Sequence, residues 1–233
     1  MSKVPVERKA SEQNYAVAAR NRDFFQKQGV YVMNVIGSPG CGKTSVLEHT
    51  ARNFAPGAGR MAAVIGDLKT TLDAERLAAC GIQARGIETG GGCHLNAAQV
   101  AAAVRDLDLS AADYLFIENV GNLVCPSAFD LGEDIKVAML SVPEGDEKVR
   151  KYPALFVRAD VVFINKLDLI GPCPFDLGRV RDDLRKARPR VRVFETSAAQ
   201  GRGFEPWFEF LSNVAARAAD GAGRAPARPT GHS

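Results

Sequence analysis

Nine residues carry the most specific chemistry in this chain. Gly37 to Ser45 reads GSPGCGKTS, and its first eight positions fit G-x-x-x-x-G-K-T. That spacing makes a phosphate-binding loop when a strand precedes it and a helix follows. Gly37, Gly40 and Gly42 let the backbone curl so that several N–H groups face one polyphosphate. The start of the following helix adds partial positive charge at the same point. The candidate nucleotide-binding set is therefore Gly37, Ser38, Pro39, Gly40, Cys41, Gly42, Lys43, Thr44 and Ser45. Lys43 is expected to reach the terminal phosphates, and the Thr44 hydroxyl to sit on Mg²⁺.

A second pattern names the base. Asn165-Lys166-Leu167-Asp168 fits N-K-x-D. A carboxylate such as Asp168 accepts two hydrogen bonds from the ring N–H and exocyclic amine of guanine, and adenine offers neither in that arrangement. A wrong base leaves the carboxylate unpaired, so such a site discriminates strongly. Further along, Thr196-Ser197-Ala198 stands in the right order to offer backbone N–H groups of Ser197 and Ala198 to the guanine carbonyl.

Acids and soft ligands follow the same logic. Asp67 and Asp73 come after a short apolar run, and Glu118 ends another. In open α/β sheets the C-terminal strand edge holds the ligand, so each acid is placed to hold Mg²⁺ or orient a water. For Asp67 and Asp73 a helix cap or a surface charge stays open as well. Cys93-His94 follows three glycines, and Cys125-Pro126 comes shortly after Glu118. Thiolate and imidazole suit a transition metal, nickel or zinc, which the ligand types do not separate. A fourth ligand for tetrahedral zinc would come from water or another subunit. The bland alternatives are a chance Cys-His pair and a small buried Cys125.

These residues need a frame. Val30–Ile36, Met61–Gly66, Gln83–Glu88, Tyr114–Ile117, Lys136–Val142, Asp160–Ile164 and Val191–Glu195 read as strands, most of them apolar throughout, as a parallel sheet demands. Helices are predicted over Ser11–Gln28, Ser45–Arg52, Thr70–Leu77 (Thr70 or Thr71 as cap), Leu95–Leu107, Val180–Ala187 and Phe204–Ala218. Pro143 to Lys151 reads as a charged, solvated loop. Strands alternating with helices give an α/β, P-loop three-layer sandwich with a mostly parallel central sheet. We expect an N-terminal helical extension over 1–29, a nucleotide domain with its metal site over 30–218, and a disordered tail over 219–233, which is rich in Ala, Gly, Arg and Pro.

Composition agrees with one large folded unit: 233 residues, 46% hydrophobic and 24% charged. A net charge of +3 is too slight to point to nucleic acid or a membrane surface. No apolar run approaches the ~18 residues that span a bilayer, and MSKVPVERKASEQN has no apolar signal region. The expected location is cytoplasmic, where the five cysteines stay reduced.

Taken together, GSPGCGKTS, GDLKTTLDAERL, TGGGCHLNA, LFIENVGNLVCP, LSVPEGDEKVRKYP, NKLDL and TSAAQGRGFEPW resemble the HypB family of hydrogenase nickel-incorporation GTPases, in the SIMIBI class of P-loop proteins. The urease accessory family UreG shares the G-protein motifs but carries a Cys-Pro-His metal motif; the CH pair and separate CP fit HypB. The resemblance implies a GTPase that binds GTP, GDP and Mg²⁺, turns over slowly, and dimerises with nucleotide or metal. It implies nickel or zinc on Cys93, His94 and Cys125, and Mg²⁺ near Thr44, Asp73 and Glu118, with Lys43 and Asp73 in catalysis. Its partners would be a HypA-like zinc/nickel accessory protein and the large subunit of [NiFe]-hydrogenase, with urease as the alternative client. An assembly switch with a structural Cys/His set and a P-loop ATPase or kinase are the other readings. Leu68 departs from the polar residue expected after Asp67, and the N-terminus has neither a Cys-rich nor a His-rich nickel tract, so bulk nickel storage is not expected. Cys125 lies a few residues beyond Glu118, so a shift of Glu118 on nucleotide exchange is expected to reach the metal.

Overall fold

The structure, a computed structural model, describes residues 4–54, 60–67 and 72–219. In chain order the elements are α1 (Val4–Gln28), β1 (Tyr31–Gly37), α2 (Lys43–Asn53), β2 (Met61–Asp67), α3 (Leu72–Ala78), β3 (Gln83–Glu88), α4 (Ala97–Ala103), β4 (Tyr114–Glu118), α5 (Cys125–Ala128), β5 (Ile135–Ser141), α6 (Lys148–Lys151), α7 (Pro153–Arg158), β6 (Val161–Asn165), α8 (Leu177–Ala187), β7 (Arg192–Glu195) and α9 (Glu205–Ala219). The seven strands form one sheet in the order β3-β2-β4-β1-β5-β6-β7. Every pairing in it is parallel.

Parallel strands need crossovers, and the helices that make them cover both faces, so the strands bury both sides. Strand alternation sorts the side chains. Met33, Val35, Tyr114, Phe116, Val137 and Met139 face a core closed by Trp207, Phe210 and Leu211 of α9. Val32, Leu115 and Ile117 face the other way, onto Leu95, Val100 and Phe25. Ala138, Leu140, Val162 and Ile164 face Leu155, Phe156, Val180 and Leu184. Two buried polar tips fix α9: Trp207 Nε1 donates to Thr50 Oγ1 at 3.0 Å, and Tyr114 OH donates to the Leu211 carbonyl at 2.7 Å.

The parallel order sends every strand's C-terminal end to one edge. The phosphate-loop strand β1 lies between β4 and β5, with Val35 opposite Glu118 and Gly37 opposite Met139. That edge gathers the chemistry.

Three expectations change. The first helix begins at Val4 rather than Ser11. The alanine-rich helix ends at Ala103, where Val104–Asp106 tightens into a 3-10 turn. The segment after β5 is not a solvated loop. Ser141 and Glu144 form a capping box there, and Val149 of α6 is buried. The helix α7 follows, with Pro153 in its first turn. One-turn helices leave no long periodic pattern, which is why charge alone misled. Thr70 and Thr71 lie outside the described residues, as does the tail beyond Ala219. The helix α1 packs on α4, where Asn21 Nδ2 donates to the Ala97 and Leu131 carbonyls at 2.8 and 3.0 Å.

Candidate functional site

The phosphate loop turns on two glycines in the left-handed region, Gly40 (φ 74°) and Gly42 (φ 99°). Gly42 caps α2, whose first turn carries Lys43 and Thr44. Lys43 Nζ folds back over the loop, 3.5 Å from the Gly37 carbonyl and 3.4 Å from that of Ser38. Cys41 points into the core, fully buried, and burial pushes its thiol up to about 11. It is therefore packing against the strand end rather than a reactive group: a Cβ on Gly37 would come within 2.6 Å of its sulfur.

Beside the loop stands Glu118, 4% exposed. Thr44 Oγ1 donates to its carboxylate at 3.0 Å, and Lys43 Nζ stands 3.9 Å away. Burial, only partly offset by Lys43, pushes the Glu118 carboxyl up to about 7. A buried carboxylate beside a hydroxyl offers two hard oxygen ligands, so these residues fit Mg²⁺. Asp73 opens onto the same cavity of about 350 Å³. There it is ion-paired at 2.7 Å to Arg76, which also reaches Glu48 at 2.8 Å. Arg76 was not read from the sequence; a helical D-x-x-R spacing was the available cue. Asp67 closes β2, and its side chain falls outside the described residues.

The base-side motif is wired into the loop. Asn165 Nδ2 donates to the Cys41 carbonyl at 3.0 Å, and Lys166 Nζ donates to the Gly40 carbonyl at 2.6 Å. Lys166 adopts φ 62°, an uncommon conformation for a residue with a Cβ. Asp168 accepts a short hydrogen bond from Ser197 Oγ. Asp168, Lys166 and Ala198 line a cavity of about 490 Å³ next to the phosphate loop. The expected backbone donors are already engaged: Ser197 N donates to the Arg202 carbonyl and Ala198 N to Asn165 Oδ1 at 3.2 Å. Ser197 and Ala198 thus shape Asp168 and Asn165, a role that motif order alone does not reveal.

The soft ligands converge. One ligand atom from each of Cys93, His94 and Cys125 lies within 4.8 Å of the others. Cys93 Sγ is 3.4 Å from His94 Nδ1. Hydrogen bonding to Cys125, with some burial, raises the Cys93 thiol above its ordinary value. Burial lowers His94, which keeps a ring nitrogen free as a ligand. Two supports were missed from sequence. Asn122 bridges the loops, donating to the Cys93 carbonyl at 3.3 Å and accepting from Val124 N at 2.9 Å. Phe129 stacks on His94 with centroids 3.8 Å apart.

Comparison with known proteins agrees with this geometry. The CobW/HypB/UreG nucleotide-binding domain matches residues 31–195. Hydrogenase maturation factor HypB of Rhizobium leguminosarum bv. viciae is 43% identical over 216 residues, covering 93% of this chain and 72% of that protein. Hydrogenase/urease maturation factor HypB of Helicobacter pylori (strain ATCC 700392 / 26695) is 40% identical over 214 residues, covering 89% and 86%. The crystal structure of HypB from Helicobacter pylori in complex with nickel superposes with a TM-score of 0.84 at 37% identity, covering 93% of this chain and 99% of that one. With its phosphate loop, its N-K-x-D motif and its Cys-His-Cys cluster all on one sheet edge, the chain belongs to the HypB family of nucleotide-binding proteins.

Proposed function

We propose that this protein is a GTP-hydrolysing nickel metallochaperone that assists nickel insertion into [NiFe]-hydrogenase. The observation that carries this reading is the pairing of two sites on one edge: a phosphate and guanine cleft, and a three-ligand soft-metal cluster two loops away. Its similarity to hydrogenase maturation factors supplies the client. Urease is a second client, favoured by the similarity to Helicobacter pylori HypB, a hydrogenase/urease maturation factor.

In this reading Lys43 releases the loop carbonyls and binds the terminal phosphates of GTP. Thr44, Glu118 and Asp73 would hold Mg²⁺, which would supply positive charge beside the phosphates when bound. Asp73 must first leave Arg76, which favours slow turnover until nucleotide or a second copy rearranges the pair. Asp168 selects guanine, held by Ser197, while Asn165 and Lys166 set the loop. Nickel (zinc as competitor) is the cargo of Cys93, His94 and Cys125; with three protein ligands the position left open suits transfer. A homodimer formed with nucleotide or metal, a HypA-like accessory protein and the hydrogenase large subunit complete the partners. No helix of the described residues is long and apolar enough to cross a membrane, and we place the protein in the cytoplasm with no nucleic-acid role.

Phosphate release from GTP and ATP, with nickel titrated in parallel, tests this. Cys93→Ala and Cys125→Ala should each lose stoichiometric nickel and keep GTP hydrolysis, and Lys43→Ala should do the reverse. Equal use of ATP, or loss of both activities in both kinds of variant, refutes the proposal.

A further inference from the structure

One buried polar chain runs from the nucleotide edge, where Asn119 lines the phosphate cavity, to the metal loops. Asn119 follows Glu118, the acid beside Thr44, and is fully buried. Its backbone continues the β4 register, with Asn119 N donating to the Val35 carbonyl at 2.9 Å. Its side-chain oxygen accepts from Leu95 N at 3.0 Å and from its own neighbour Val120 N at 3.1 Å. Leu95 is the residue after His94, so this one amide ties the end of the Glu118 strand to the Cys93–His94 loop.

The other end of the amide starts a second arm. Asn119 Nδ2 donates to Asn34 Oδ1 at 3.2 Å, and Asn34 Nδ2 donates to Glu133 Oε1 at 3.4 Å. Glu133 is ion-paired with Lys136 at 2.5 Å, and Lys136 Nζ also donates to the Phe129 carbonyl at 2.6 Å. The Phe129 ring is the one stacked on His94. Both arms therefore end on His94, one through its backbone neighbour and one through its ring partner.

A pair of buried asparagines inside a parallel sheet is unfavourable unless every polar atom is matched. Here each amide has matched oxygen and nitrogen, and donors and acceptors run in one direction. Apolar side chains at positions 34 and 119 would fill the sheet more simply. The geometry points to a positioning role: we propose that Asn119 is the residue through which a displacement at Glu118 is passed to the Cys93–His94 loop, making nickel affinity depend on the bound nucleotide. The proposal deepens the metallochaperone reading and rests on it. Glu118 cannot shift along β4 without moving Asn119, and Asn119 cannot move without releasing or dragging the Leu95 amide. Coupling of this kind is reciprocal, so bound nickel changes nucleotide affinity by the same factor.

The test is titration of the full chain with Ni²⁺ in GDP and in a non-hydrolysable GTP analogue. The wild type is expected to show a ratio of nickel affinities of about fivefold or more between the two states, within the usual range of allosteric coupling. Asn119→Ala should still take up one nickel, with the ratio collapsed to within about twofold of unity. Asn34→Ala keeps the bonds to Leu95 and Val120; it should lose stability but retain the wild-type ratio, which a merely structural role for the asparagine pair does not predict. Wild-type coupling in Asn119→Ala overturns the proposal, as does loss of coupling in both variants alike. If Asn119→Ala does not fold, amide exchange in the wild type decides: protection of the Leu95 N–H should differ between nucleotide states, and equal protection overturns the proposal. A wild type that binds nickel equally in both states overturns the coupling but leaves nickel handling standing. A wild type that binds no nickel overturns both.

Discussion

Glu118→Gln in the protein free of nucleotide and magnesium is the most quantitative probe of the phosphate edge. An ordinary glutamate titrates near 4.5, and burial carries this one to about 7. Its folded value thus lies above its unfolded value. Between pH 4.5 and 7 the native state holds a proton that the unfolded chain has released. That proton stabilises the fold fully below pH 4.5, and the stabilisation is lost as pH rises through 7. A shift of that size corresponds to about 3 kcal/mol. Glutamine keeps an oxygen for the Thr44 hydroxyl, now 3.0 Å from the carboxylate, and carries no charge at any pH. Urea unfolding from pH 4.5 to 8, in chelator, reads the difference. The variant should match the wild type near pH 4.5 and exceed it by about 3 kcal/mol at pH 8. Added Mg²⁺ with a GTP analogue should reverse the order, since only the carboxylate binds the cation. A variant less stable than the wild type at pH 8 without metal would refute the reasoning, because Glu118 would then be a satisfied ion pair with Lys43.

Three further perturbations follow from single contacts. Asn165→Ala removes hydrogen bonds to the Cys41 carbonyl, the Thr196 hydroxyl and Ala198 N; urea unfolding should show a loss of about 3 kcal/mol, with weaker GDP binding. Gly203→Ala places a Cβ onto the Glu195 carbonyl at φ 78°, so calorimetry should show a loss of about 2 kcal/mol or more. Phe129→Ala removes the ring stacked on His94; nickel stoichiometry should hold while affinity falls about tenfold, and unchanged affinity would show the ring to be mere packing.

Where the backbone itself makes the site, the sequence was readable. GSPGCGKTS and NKLDL impose φ values and donors within a few residues, and the apolar runs before them place both at one sheet edge. Cys93, His94 and Cys125 were legible as ligand types on two loops leaving one sheet edge, and what the sequence could not show is that their ligand atoms come within 4.8 Å of one another. The Asn34–Asn119 pair was opaque, because its partners lie 85 residues apart and an asparagine in a strand advertises no partner. Arg76 hid in a helix where a basic residue is ordinary. The helix α6 hid behind charge, since it is one turn long and buries a single side chain, Val149.

The central claim is that one sheet edge holds guanine nucleotide and, separately, nickel on Cys93, His94 and Cys125. X-ray absorption of the GDP-bound protein loaded with one equivalent of Ni²⁺ tests it most directly. The account predicts a nickel shell containing two sulfurs and an imidazole nitrogen, and loss of one sulfur in Cys125→Ala. A shell of nitrogen and oxygen alone, or a spectrum unchanged by Cys125→Ala, would contradict it.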